Sequence, residues 1–452
     1  MKSIHKILIA NRGEIAVRIM RSLREMNIDT VAVYSDADAN SLAVRLADEA
    51  CHIGPSEPSE SYLNMQKILE AARVMQADAI HPGYGFLSEN ADFAKAVEQS
   101  GMVFIGPPPE VIALMGCKTR ARSLMQEIGV PLIPGSLEPI TCKEDLFATA
   151  DRIGFPLLIK ASAGGGGKGM RKVNSRSELV EAFDRAGSEA QSSFGNNAVY
   201  IEKVIENPHH IEIQILADHY GNMVCLGERE CSVQRRYQKI LEETPSPFID
   251  RKTSKRMEAT AMKAAKAVHY AGVGSVEFIV DENQNYYFLE MNTRLQVEHA
   301  ITEMVTGIDL VKEQVKIARG EPLEFCQDDI RIQGAALQCR IYAEDPEKNF
   351  MPYPGSIDEY CSPGGGGVRH DSGVNNGCDV SIHYDPLISK LITWGHNRPE
   401  VIQRMKRALY EYRISGIKTT IPYFLKILEN NEFLSGNYTT SLVERTAYGF
   451  SN

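Results

Sequence analysis

The chain has no C-x-x-C pair, no internal repeat, no excess of positive charge and no apolar run that approaches a membrane span. Its nine cysteines, at 51, 117, 142, 225, 231, 326, 339, 361 and 378, are odd in number and scattered through 452 residues. That pattern excludes a disulfide scaffold and fits reduced thiols in a cytosol. The opening MKSIHKILIANRGE has only four consecutive apolar residues before Asn11, too few for a signal-peptide core. A formal net charge of −10 gives no reason to expect a nucleic-acid partner. The expectation is a soluble cytoplasmic protein of about three domains, with no membrane contact.

Two tetraglycines are the only low-complexity tracts. KILIAN (6–11) reads as a buried strand, Glu14 to Met26 as a helix and TVAVYS (30–35) as a second strand, making a βαβ unit. A second cycle follows: a helix near Tyr62 to Met75, a strand at Asp78 to Ile80, the turn HPGYGFLSEN, a helix from Ala91 to Gln99, and MVFIG. The middle region reads strand, glycine loop, strand, with Ser175 and Glu178 as a capping box. AVYIEKVI, HIEIQILAD and NMVCLGERE then suggest an antiparallel lid. An amphipathic helix spans Lys255 to Tyr270, and beyond Glu324 a mainly β segment precedes two helices, Pro399 to Arg413 and Ile421 to Glu429. The fold class is α/β and α+β: an open parallel sheet, a middle unit with a mobile antiparallel lid, and a C-terminal mainly β unit with helices.

The chemistry concentrates at GSVEFIVDENQNYYFLEMNTRLQVEHA. From Glu290 onward Asn292, Arg294, Gln296 and Glu298 occupy every second position, so a strand would place all five on one face. Leu289, Met291, Leu295 and Val297 would face the other way. A two-residue turn at Asn283-Gln284 would set Glu277 opposite Glu290, and facing carboxylates repel unless a cation bridges them. Glu and Asn oxygens suit Mg²⁺, and a guanidinium two residues on suits a small planar anion. An edge strand with a solvated polar face is the plainer alternative.

Gly164, Gly166 and Gly169 satisfy G-x-G-x-x-G, but MRKV, a strand, follows where dinucleotide binding needs a helix. The Walker pattern also fails, because Gly169 follows Lys168 where Ser or Thr is required. What remains is a hairpin tip of nearly bare backbone, able to fold over a polyphosphate, with Lys118 and Lys160 as nearby point charges.

With the glycine hairpin, EKVIENPHHIEIQ and LEMNTRLQVEH in order, and with HPGYGFLSEN, ERECSVQRRYQK and CRIYAEDP, the whole chain resembles the ATP-grasp superfamily and, within it, biotin carboxylase. The resemblance implies three domains, 1–115, 116–330 with the lid at about 133–204, and 331–452. It implies ATP held by Lys118, Lys160, Gly166 and Gly167, by the hinge Glu202, Lys203, Val204 and Ile205, and by His210. Glu277, Glu290 and Asn292 match ligands of Mg²⁺ or Mn²⁺. Lys239, Arg294, Gln296 and Val297 match a bicarbonate pocket, Glu298 its base and Arg340 a biotin-facing arginine. Tyr237 stands in QRRYQK where many members read QRRHQK, and a changed ATP affinity is expected there. Arg235, Arg236 and Lys239 read alone as a solvated basic patch.

The implied activity is ATP-dependent carboxylation of biotin through carboxyphosphate, as the first half-reaction of acetyl-CoA carboxylase in fatty acid biosynthesis. The only Ala-Met-Lys, at 261–263, reads as an ordinary helix segment. Biotin is therefore expected on a separate biotin carboxyl carrier protein, with carboxyltransferase subunits and a homodimeric partner copy. Alternatives are the corresponding component of a pyruvate or other acyl-CoA carboxylase, a carboxylate–amine ligase of the same fold, and a silent nucleotide-binding scaffold.

Overall fold

The computed structural model describes residues 3–136, 138–140, 142–161, 171–194 and 198–447. Ile7, Leu8 and Ile9 are fully buried, and the strand Lys6–Ile9 they form is the centre of a five-stranded parallel sheet. Its order is Glu49–Gly54, Asp29–Ser35, Lys6–Ile9, Ala79–His81, Val103–Phe104. Continuous apolar runs suit strands covered on both faces. The edge strand Glu49–Gly54 and the short helix Leu42–Leu46 were not expected; EACHIG buries only Ile53 and carries no apolar pattern. At the carboxyl ends of the central strands, Asn11 Nδ2 donates to the carbonyls of Pro82 and Tyr84, both at 2.7 Å. Gly83 turns there with φ +64°, and a Cβ on it would meet Asn11 Nδ2 at 3.0 Å. This turn carries Glu89 toward the site described below.

An eight-stranded antiparallel sheet forms the rest of the frame. Its order is Tyr286–Asn292, Gly272–Val280, His209–Ala217, Met223–Arg235, Gln238–Thr244, Ala335–Tyr342, Leu387–Gly395, Val368–Ser372. HIEIQILAD and NMVCLGERE therefore belong to this sheet and not to the lid. All nine residues of His209–Ala217 are buried. The separate three-stranded sheet has Leu157–Ala161 between Arg171–Val173 and Val199–Lys203, and packs on the helices Lys143–Ile153 and Leu179–Phe194. The glycine loop, with Gly166 and Gly167, lies outside the described residues. Ser175 does not form the expected capping box: its hydroxyl bonds the Glu178 carboxylate at 3.0 Å, and a 3₁₀ turn, Arg176–Glu178, opens the helix instead. The helix expected at Lys255 to Tyr270 runs Arg251–Ala267, and Asn431–Ser435 and Leu442–Ala447 follow the expected Arg398–Glu411 and Ile421–Ile427.

The hairpin needs two corrections. Its turn has three residues, Glu282 to Gln284, because Asp281 Oδ1 accepts the amides of Asn283 and Asn285, both at 2.9 Å, and Gln284 takes φ +61°. One residue of slippage would put Glu290 on the wrong face. A bulge between Glu277 and Phe278 removes the slip and leaves Glu277 opposite Glu290 as expected. Secondly, the strand stops at Asn292. Arg294 to Glu298 lie in a loop that enters the helix His299–Thr306, with Leu295 fully buried and Leu289 and Val297 half-buried.

The first helix, Gly13–Glu25, packs on the C-terminal strands Val368–Ser372 and Leu387–Gly395. Arg18 reaches Glu303 at 2.8 Å and Asp309 at 2.9 Å. Glu14, 3% exposed, lies 3.1 Å from the fully buried Lys390. Burial raises the Glu14 carboxyl from 4.5 to about 7, against the opposing pull of Lys390; Asp371 raises it further and Arg369 lowers it. A carboxyl raised by folding binds its proton more tightly in the folded state, so its contribution to stability falls as pH rises from about 4.5 to about 7. Glu14→Gln should remove this slope, gaining on the wild type by at most about 3 kcal/mol between pH 5 and 8 in urea denaturation.

Candidate active site

The site is assembled where four strands of the large sheet meet the loop after Asn292. In register, Glu277 faces Glu212 on one side and Glu290 on the other, so three adjacent strands present a row of carboxylates. Such a row is tolerable only around a cation, and Lys239 supplies one. Its Nζ donates to Glu212 Oε2 at 2.7 Å, Glu277 Oε1 at 2.8 Å and Glu298 Oε1 at 2.7 Å. Glu277 Oε1 also accepts from the amides of Asn292 and Gln296, both at 2.8 Å. Lys239, Glu277, Asn292, Gln296 and Glu298 are thus brought together as expected.

Burial alone would raise the Glu298 carboxyl, but Lys239, then Arg340 and Arg229, outweigh it and hold it well below the usual carboxylate range. Burial is likewise overcome at Glu277, chiefly by Lys239 and His210. At Glu290 it is not: burial, then repulsion from Glu277, raises the carboxyl above its ordinary value despite Lys118. Lys118 opens the helix Lys118–Glu127 and bears on both Glu290 and Glu202.

Arg340, 8% exposed, holds the second oxygen of Glu298 at 3.0 Å while its Nε donates to Glu242 at 2.6 Å. Arg294 is turned differently. Its Nε donates to Glu89 at 2.8 Å and its NH2 to Asn292 Oδ1 at 3.0 Å, so the clamp expected for an anion is closed on a carboxylate from the first sheet. Lys160 ion-pairs with Glu202, whose other oxygen accepts from Arg122 at 2.5 Å. The hinge is backbone-bonded through Lys203 N to Pro134 O at 2.8 Å and Val204 N to Pro156 O at 3.0 Å, and Ile205 follows in the connection to the large sheet. The Val297 carbonyl accepts from Lys390 at 3.1 Å.

His210 meets Glu277 Oε2 at 2.6 Å and Gln234 Nε2 at 2.7 Å. Gln234 can only donate there, which leaves the His210 Nε2 proton for the carboxylate. Tyr237 is exposed. With Arg236 it forms the tip of the hairpin between Met223–Arg235 and Gln238–Thr244, both residues at positive φ, and its side chain is 65% exposed with no hydrogen bond among the described residues. Arg235, read alone as solvated, is paired with Glu344 and lies 4.5 Å over the Phe350 ring.

Several residues escaped the sequence reading. Arg229, fully buried, ion-pairs with Glu212 and donates to Gln214 at 2.6 Å, Thr302 at 2.8 Å and Gln296 at 2.6 Å. Glu212, Gln234, Glu242 and Glu89 were also missed. His210, Glu212 and Gln214 alternate just as the residues after Glu290 do, and that signal was available. Glu89 sits in a turn and leaves no pattern.

Sequence models of three families match consecutive stretches: "Biotin carboxylase, N-terminal domain" at 3–112, "Carbamoyl-phosphate synthase L chain, ATP binding domain" at 117–326 and "Biotin carboxylase C-terminal domain" at 338–445. The chain is 54% identical to Biotin carboxylase 1 of Bacillus subtilis over 98% of each chain. The chain belongs to the biotin carboxylase family. It is an ATP-grasp ligase. It is also 52% identical to a pyruvate carboxylase component of Methanothermobacter thermautotrophicus, over 98% of this chain and 90% of that one. The biotin carboxylase domain dimer of Hydrogenobacter thermophilus 2-oxoglutarate carboxylase, solved with MgADP, ADP and bicarbonate, superposes with a TM-score of 0.95 at 45% identity and full coverage of both chains. No helix among the described residues is long and apolar enough to cross a membrane.

Removing the shared cation tests the electrostatics of this family member. Lys239→Met should cost about 3–5 kcal/mol in denaturation at pH 8, since Glu212, Glu277 and Glu298 lose their common partner. Their proton affinity then rises, so the deficit should shrink at pH 5.5.

Proposed function

We propose that the chain carboxylates biotin borne by a separate biotin carboxyl carrier protein, using ATP and bicarbonate, and hands the product to carboxyltransferase subunits. The single observation that carries this reading is the Lys239 ammonium bound to three carboxylates, with Arg340 on the far oxygen of one of them. The parent reaction is that of acetyl-CoA carboxylase in a cytoplasmic setting. The likeness to the Methanothermobacter pyruvate carboxylase component supports a second reading, with pyruvate as final acceptor. The dimer described for the Hydrogenobacter relative supports a homodimer here. The division into units at 1–115, 116–330 and 331–452 is part of the same proposal, with the lid at 133–204.

The donor chemistry fits a divalent metal. Glu212, Glu242, Glu277, Glu290 and Glu298 outnumber Lys239, Arg229 and Arg340, and Glu290, which faces Glu277, is the one left raised by burial and by that neighbour. Glu277, Glu290 and Asn292 would hold Mg²⁺ or Mn²⁺, which supplies charge neutralisation between nucleotide phosphates and the acidic row. Lys118, Lys160, Gly166 and Gly167 take the phosphates, and Glu202 to Ile205, His210 and Tyr237 the rest of the nucleotide.

Bicarbonate and the terminal phosphate are both anions, so the pocket must offset their repulsion before they react. Lys239 and Arg294 do this, with Gln296 and the Val297 backbone fixing orientation. For Arg294 to grip bicarbonate through two N–H groups it must let go of Glu89, an exchange of one carboxylate-like partner for another. Glu298 then removes the bicarbonate proton. Held by two cations it is a weak base, and turning Arg340 from Glu298 onto the ureido oxygen of biotin would restore proton affinity when both substrates are present. The bicarbonate oxygen attacks the terminal phosphorus as ADP leaves, giving carboxyphosphate; this decomposes to carbon dioxide and phosphate, phosphate takes the ureido N–H proton of biotin, and that nitrogen bonds to the carbon dioxide. Because the anhydride hydrolyses, water must be kept out by the lid.

ADP release should depend jointly on bicarbonate and free biotin, in a coupled steady-state assay; an amine acceptor replacing biotin would indicate the carboxylate–amine ligase instead. Arg340→Ser should lose biotin carboxylation while keeping nucleotide binding by calorimetry. Glu298→Gln should leave Mg-ATP affinity near wild type and lower turnover at least about 100-fold. The acetyl-CoA and pyruvate readings separate on which carboxyltransferase co-purifies.

A further inference from the structure

Beneath the 294–298 loop lies a buried ion pair with no part in the roles above. Lys390 is fully buried on the Leu387–Gly395 strand, beside Arg340 in register. Its Nζ lies 3.1 Å from the Val297 carbonyl oxygen, 3.1 Å from Glu14 Oε2 and 3.9 Å from Asp371 Oδ2, with the Tyr84 ring centroid at 5.7 Å. Asp371 is already engaged by Arg369 at 2.8 Å. The preceding carbonyl of the loop, that of Gln296, accepts from His299 Nδ1 at 2.7 Å. His299 is fully buried and held neutral by desolvation, so its Nδ1 donates as an ordinary imidazole N–H. Two successive carbonyls of an irregular loop are thus each taken by a buried side-chain donor from below.

A fully desolvated ammonium costs several kcal/mol, and an apolar side chain of similar volume would fill this space without that cost. The charge has a use only if something needs a strong donor. The Val297 carbonyl belongs to no strand ladder, and a charge-assisted bond holds it roughly twice as firmly as a neutral donor would. The side chains of Gln296 and Glu298 leave the backbone on either side of it, and Arg294 two residues earlier. A shift of about 1 Å in this segment is enough to spoil alignment of a small planar anion.

We propose that Lys390 is a positioning residue for the anion pocket: by holding the Val297 carbonyl from below, with Glu14 of the first helix balancing its charge, it fixes the backbone from which Arg294, Gln296 and Glu298 project. The inference rests on the bicarbonate pocket proposed above. It adds that the backbone of the pocket is held by a side chain of the C-terminal unit.

The test uses the full chain with free biotin. Lys390→Met should raise the KM for bicarbonate about tenfold, leaving the KM for ATP within about twofold. Glu14→Gln, which keeps the bond to Val297, should leave the KM for bicarbonate within about twofold. The double variant Glu14→Gln with Lys390→Met contains no unpaired buried charge and should recover the melting temperature lost in Lys390→Met, yet keep the raised KM for bicarbonate. A double variant that recovers both, or a KM for ATP raised as much as that for bicarbonate, would overturn the proposal and leave Lys390 a packing charge. If Lys390→Met does not fold, the double variant decides alone. A wild type without bicarbonate-dependent turnover defeats the underlying pocket reading instead, and shows this before any variant is made.

Discussion

One buried ammonium group determines what the rest of this architecture has to do. Lys239 brings Glu212, Glu277 and Glu298 within hydrogen-bonding distance of a single nitrogen, and those three carboxylates come from two neighbouring strands and from the loop beyond a third. Without it their mutual repulsion in a low-dielectric interior would be severe. The antiparallel ladder, the bulge that aligns Glu277 with Glu290, and the brace of Arg229 from behind all keep these groups converging. The cluster is also held at the limit of its charge balance, with Glu290 raised and Glu298 lowered a few residues apart on the chain. Acids pushed in opposite directions by burial and by specific charges cluster at functional sites.

The fold was legible where a single period dominated. The run at 6–11 gave the parallel sheet from residue order alone, and the hairpin was foreseen with Glu277 opposite Glu290, although the alternation after Asn292 belongs to a loop. The reading failed where tertiary contacts replaced local pattern. HIEIQILAD looked like a lid strand because a lid strand, Val199–Lys203, precedes it, whereas its burial comes from pairing with Met223–Arg235 on one side and the distant Gly272–Val280 on the other. The turn was misjudged by one residue, since Asp281 caps it with a side chain. The bulge that cancels the error is invisible to a two-residue repeat.

The site was legible in its centre and not at its margins. Resemblance named Lys239, Asn292 and Arg340, which the fold gathers around Glu277 and Glu298, but it said nothing of Glu89, which occupies Arg294 from the turn after Ala79–His81, or of Glu242, which holds Arg340. These partners lie far away in sequence and carry no spacing.

The eight-stranded sheet runs without interruption from the Glu277 hairpin through Gln238–Thr244 into Ala335–Tyr342 and Leu387–Gly395. The stretches matched by two different family models are therefore zipped together along one seam of main-chain bonds, four paired positions between Leu241 and Thr244 on one side and Ala336 and Cys339 on the other. Without the Ala335–Tyr342 strand, Gln238–Thr244 would become a bare polar edge, its main-chain groups open to pairing with another chain.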